Sequence, residues 1–175
     1  IPPPPIMTTA LTLTFVAGTK SESSSAVSVS GSALAGDLGI MFDCVRRNGG
    51  TPSPVTPAGW TNFLDKWDDS GAPNISRVML HRKVLVSGDI GASITGMNVY
   101  DSAAKLILVF RPSRVLTGVT PSTFNKEITS GNPGSQTVLS GAAIAPLIVL
   151  GMVFESGGSA AFSTSSPTAG GTVES

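Results

Sequence analysis

The sequence predicts an all-β fold: an antiparallel two-sheet β-sandwich, jelly-roll-like or Ig-like. Three observations predict it. Short apolar runs alternate with polar residues at period two, the pattern of half-buried strands. Gly, Pro and Asn break the chain about every 8–15 residues, too often for the crossover helices of a βαβ unit. Charged residues make up only 13% of the 175, while 24 Ser and 17 Thr fill the polar positions. That is about half the charge usual for a soluble domain, and no stretch shows a convincing helical period.

The chain opens with Ile1-Pro2-Pro3-Pro4-Pro5-Ile6. Consecutive prolines exclude helix and stiffen the backbone, so residues 1–9 read as an extended arm. Residues 10–162 read as one sandwich domain, and 163–175 as a Ser/Thr/Gly-rich tail. Within the domain, Leu11, Leu13 and Phe15 alternate with Thr12 and Thr14, and Val27 and Val29 with Ser28 and Ser30. Each reads as a half-buried strand. Residues 37–45 form the next strand, and a long loop rich in proline runs from Arg46 to Gly59. Trp60 opens a strand to about residue 67, and Asp68-Asp69-Ser70-Gly71 reads as a turn. Strands follow over about 75–86 and 90–99, separated by Ser87-Gly88-Asp89. Leu106-Ile107-Leu108-Val109-Phe110 is apolar on both faces and stops near Pro112, as a central strand does. Weaker strands are expected near 114–119, 123–128 and 136–140, and Leu147 to Phe154 reads as another strand buried on both faces.

The 11 basic and 11 acidic residues balance. Phosphate backbones demand a strong positive field, so nucleic acid is not an expected partner. The longest apolar run, Ala142 to Phe154, is broken by Pro146 and Gly151 and falls short of the ~18–20 residues that span a bilayer. No membrane partner, signal peptide or cofactor is expected. The single cysteine cannot form an internal disulfide. Cys44 shares a strand face with Leu38, Ile40 and Phe42, and reads as a small core residue.

Few residues remain for chemistry. The single histidine, His81, shares a face with Met79 and Lys83 beside basic neighbours, and is expected at the surface or partly buried. A serine-hydrolase triad would need a nucleophile presented to it, and no Gly-x-Ser-x-Gly elbow exists. Catalysis is therefore not expected. Asp65, Asp68 and Asp69 surround a turn but lack the spacing of a calcium loop. Trp60 and Trp67 stand seven apart, on opposite faces of one regular strand. Trp60 is expected in the core, and Trp67 at the rim as a possible glycan-stacking platform. Arg46 and Arg47 stand at the mouth of the long loop, and such loops tend to carry contacts. With Pro2, Pro3, Pro4 and Pro5 they are the candidate partner-binding residues. Arg111 and Arg114 read as rim or interface salt-bridge donors.

Three pieces in order carry a family resemblance: Gly36-Asp37-Leu38, the loop ending Pro57-Ala58-Gly59-Trp60-Thr61, and Met79-Leu80-His81-Arg82-Lys83-Val84. Together they resemble the β-sandwich modules of tailed-bacteriophage virion proteins, found in head decoration proteins and in tail-fibre or tail-tip modules. The likeness spans about residues 34–154 and leaves out the arm and the tail. It implies a structural role on the virion surface and brings no catalytic residues. The small size favours a capsid decoration (cement) protein that clamps adjacent capsid or other virion subunits, as a homo-oligomer or on a lattice. The rival readings are a tail-associated module and a carbohydrate-binding adhesin module.

Overall fold

The computed structural model describes residues 11–22, 24–68 and 74–116, residues 68 and 74 by their backbone alone. Several expected features lie outside the described residues: the arm with Pro2–Pro5, the turn at 69–71, the tail, and the strands expected at 123–128, 136–140 and 147–154. The weak strand expected at 114–119 falls across the boundary, and its described part, 114–116, is not strand.

Seven strands are described: β1 (Leu13–Glu22), β2 (Ala26–Ser28), β3 (Leu38–Asn48), β4 (Thr61–Asp68), β5 (Asn74–Val84), β6 (Ser93–Thr95) and β7 (Ser102–Pro112). The one helical turn among the described residues is a 3-10 turn, Ser87–Asp89. Five strands pair in the order β1-β7-β3-β5-β4, and β2 pairs with β6. All pairings are antiparallel. The protein is thus all-β with antiparallel sheets, as its alternation predicts.

Side chains alternate across a sheet, and residues directly opposite in neighbouring strands share a face. The register therefore sorts the five-stranded sheet into two faces. Leu38 lies opposite Phe110 and Val84, and Phe42 opposite Leu106 and Leu80. Leu38, Phe42, Leu80, Leu106 and Phe110, with Ile40 and Cys44, form the apolar cluster of one face, while Val84 is exposed at its edge. The other face carries Met41, Ile107 and Val109, which pack with Val27 of β2 and Leu85. The partly buried Ile94 of β6 joins them, so the small sheet and the large one share this core. Further along the same face, Val45, Met79, Met97 and Ala103 form a third cluster.

The central place of β7, between β1 and β3, explains why Leu106–Phe110 is apolar on both faces. The strand expected over 90–99 shrinks to Ser93–Thr95. Gly91, with φ 72°, turns the chain before it, and beyond Thr95 the backbone dips onto the side chains of β3. Gly59, with φ 77°, supplies the left-handed turn that ends the long loop. Trp60 N–H then donates to Pro57 O at 3.0 Å, and the indole packs into the core against Gly39 and Leu85.

Candidate functional site

β3 reads Leu-Gly-Ile-Met-Phe-Asp-Cys-Val, and Asp43 takes the same parity as Met41 and Val45. That parity buries its carboxylate. The register places Lys105 of β7 directly opposite. The two form an ion pair with both side chains 0% exposed. Met97 closes the arrangement: its N–H donates to Asp43 Oδ2 at 2.6 Å, and its carbonyl accepts from Lys105 Nζ at 3.0 Å. The Lys105 ammonium also lies 5.9 Å from the Tyr100 ring centre. Neither Asp43 nor Lys105 stands out as a candidate in the sequence. The signal was there: a charged residue inside the otherwise apolar run Leu38–Val45.

His81 overturns its sequence expectation. It lies in the middle of β5, between Met41 of β3 and Asn62 of β4, and is 0% exposed. Its side chain lies on the sheet face of Met41 and Met79, which Trp60, Leu85 and Met97 cover, and that cover removes it from the surface. Neither ring nitrogen has a hydrogen-bond partner among the described residues. Burial pushes its pKa below the ordinary histidine value, and the Lys105 charge adds to this. The carboxylates of Asp43 and Asp65 oppose it without prevailing.

Arg77, four residues before His81 on the same face, makes a two-pronged pair with Asp65 of β4 at 2.7 and 2.6 Å. Its remaining nitrogen donates to Pro52 O at 2.7 Å, tying the long loop to the sheet. Its guanidinium carbon sits 5.2 Å from the ring centre of Trp67, which is 53% exposed. Trp60 is buried, as expected, but the two tryptophans do not face opposite ways. A bulge between Asn62 and Leu64 inserts one extra residue and resets the alternation, so both lie on the His81 face. The Asn62 amide bridges the bulge by donating to Leu64 O and Leu80 O.

The remaining candidates are scattered. Arg46 and Arg47 are half-buried at the end of β3. Neither forms an ion pair among the described residues, and the Arg47 guanidinium packs under Gly50. Of the aspartates considered for a metal, Asp65 commits both oxygens to Arg77, while Asp69 and the Asp68 side chain lie outside the described residues. Among the described residues no three His, Cys, Asp or Glu side chains group as metal ligands. Cys44 is buried in the apolar face, where burial pushes its thiol pKa up.

Two more ion pairs fasten turns. Arg111 grips Asp37 at 3.0 and 2.9 Å. Burial raises the Asp37 pKa, but the bonds from Arg111 and the Leu34 N–H outweigh it and hold the carboxyl below its ordinary value. Asp89 follows the same logic. Burial raises its pKa, while Lys83 at 2.6 Å and the Val86 N–H at 2.8 Å bring it lower.

The described residues thus define a class, an all-β fold whose buried carboxylates Asp37, Asp43 and Asp89 are each paired with a cation. Compared with known proteins, the chain matches no family model, no curated protein and no solved structure.

Proposed function

We propose that this chain is a non-enzymatic structural domain of a bacteriophage virion surface, a capsid decoration protein that clamps neighbouring subunits. One observation carries the non-enzymatic part. The side chains best suited to chemistry face inward and hold the fold: Asp43 on Lys105, Asp65 on Arg77, and the single histidine and cysteine in the core. The virion part rests on the three sequence pieces that resemble phage modules. The proline arm and the Arg46–Arg47 mouth of the long loop would make the contacts. A stiff arm loses little conformational entropy on docking, and repeated weak contacts on a symmetric particle add avidity.

Quantitative mass spectrometry of purified particles tests this. Hundreds of copies per particle fit a head lattice, and a handful in multiples of three or six would move the chain to the tail. Absence from particles overturns the virion reading. Deleting residues 1–6 is expected to lower occupancy, and unchanged occupancy removes the arm from the mechanism.

The exposed Trp67 favours a second reading, carbohydrate binding. Its indole is a flat apolar plate braced by a guanidinium that is itself fixed by Asp65 and Pro52 O. Trp67→Ala is expected to abolish any glycan-array signal while lowering stability by about 1 kcal/mol, the worth of an exposed cation–π contact. An array signal that survives the substitution would exclude Trp67 as the platform.

A further inference from the structure

His81 stands beside a row of charges. Lys105 of β7, Asp43 of β3 and the partly buried Asp65 of β4 line up across Met79, two residues before His81 on the same face, and their charges act on it. Arg77 and Lys83 share its own strand face, Lys83 pairs with Asp89 of the 3-10 turn, and Tyr100 lies against Lys105. A neutral imidazole can occupy such a place at the modest cost of two unpaired nitrogens. An imidazolium cannot, because a buried third cation needs a carboxylate of its own. Both nearby carboxylates are committed, Asp43 to Lys105 and Asp65 to Arg77.

The same two pairs hold the covering segments in place. Asp43 and Lys105 grip the backbone of Met97 from both sides, and Arg77 grips Pro52 O of the long loop. A proton on His81 therefore competes for the groups that fasten the covers. We propose that His81 is an acid-responsive release: its protonation draws on Asp43 or Asp65 and loosens the two segments those pairs fasten, the loop around Pro52 and the chain at Gly96–Met97.

The direction in pH follows from the neutral ring being the form the fold prefers. The fastening is complete above the ordinary histidine value of 6.5 and is lost as pH falls below it, through the lower value of the folded state. The inference does not rest on the virion reading, since it concerns only the fold's own groups.

The test uses the full chain. Amide hydrogen exchange, corrected for intrinsic rates, is followed in peptides covering 49–59 and 93–99 at about pH 7.5 and about pH 5, either side of the ordinary histidine range. Opening of both segments is expected to rise about tenfold on acidification, the factor that one unit of pKa shift commands. His81→Gln is expected to flatten that response, and β1 to show no comparable change. The same response in His81→Gln, or none in the wild type, overturns the proposal. The chain has a single histidine, so its ring NMR signals need no assignment. If His81→Gln does not fold, the wild-type ring titration decides. An imidazole titrating below 6.5 together with segment opening supports the release, and one titrating at or above 6.5 overturns it.

Discussion

Lys105→Ala is expected to lower the unfolding free energy by about 3–5 kcal/mol, the usual penalty for breaking one half of a buried ion pair. The substitution leaves the Asp43 carboxylate in a site with 0% exposure, and it strips the Met97 carbonyl of its donor. The pair itself is worth far less than this loss, because two desolvation penalties offset most of its Coulomb attraction. Asp43→Asn with Lys105→Met is therefore expected to recover all but about 1.5 kcal/mol. Asparagine keeps an acceptor for the Met97 N–H, and methionine fills the lysine stem. Lys20 provides the contrast. It pairs with Glu22 at 3.1 Å with 64% of its side chain exposed, and Lys20→Ala is expected to change stability by no more than about 0.5 kcal/mol. Urea unfolding of the three variants and the parent reads these values directly. A Lys105→Ala loss no larger than that of Lys20→Ala would mean the buried pair does not hold the two strands.

Where the sequence was legible, one strand's own pattern sufficed. Leu38–Cys44 and Leu106–Phe110 betray their faces by their own alternation or by its absence, and Trp60 reads as the core member of the tryptophan pair. What could not be read depends on register between strands far apart in the chain. Asp43 and Lys105 are 62 residues apart, so nothing local to either announces the other. His81 sits among basic letters in sequence, which suggests a surface, yet residues remote in the chain, Trp60, Leu85 and Met97, cover the sheet face that carries it. The tryptophan faces were misread for another reason. Strict alternation assumes a regular strand, and a single inserted residue at the Asn62–Leu64 bulge inverts everything after it. The platform at Trp67 was legible as an exposed aromatic, but its brace, Arg77, was not, because the pairing of β4 with β5 sets that contact.

Gly96→Ala is expected to be the most damaging single-methyl change in the described chain, at about 1–3 kcal/mol or more. In sequence Gly96 stands inside an apparent strand, where glycine weakens pairing and often marks the close approach of another group. Here the approaching group is the Asp43 carboxylate. A Cβ on Gly96 would run into it and would also meet the Met41 methyl at 3.0 Å. Asp43 cannot retreat cheaply, because its oxygens are fixed by Lys105 and by the Met97 N–H. The added methyl must push either the backbone off the sheet or the carboxylate off its cation, and both expose the buried pair. Gly31 is the control, since a Cβ there meets nothing within 4 Å and the residue needs no left-handed conformation. Gly31→Ala is expected to lie within about 0.5 kcal/mol of the parent. Because the Gly96 penalty acts through Asp43, it is expected to shrink by at least half when Asp43→Asn and Lys105→Met are already present, the non-additivity of neighbouring sites. Full additivity in that cycle would show that the methyl acts on the backbone alone, and that the ion pair is not what the chain at 96–97 rests upon.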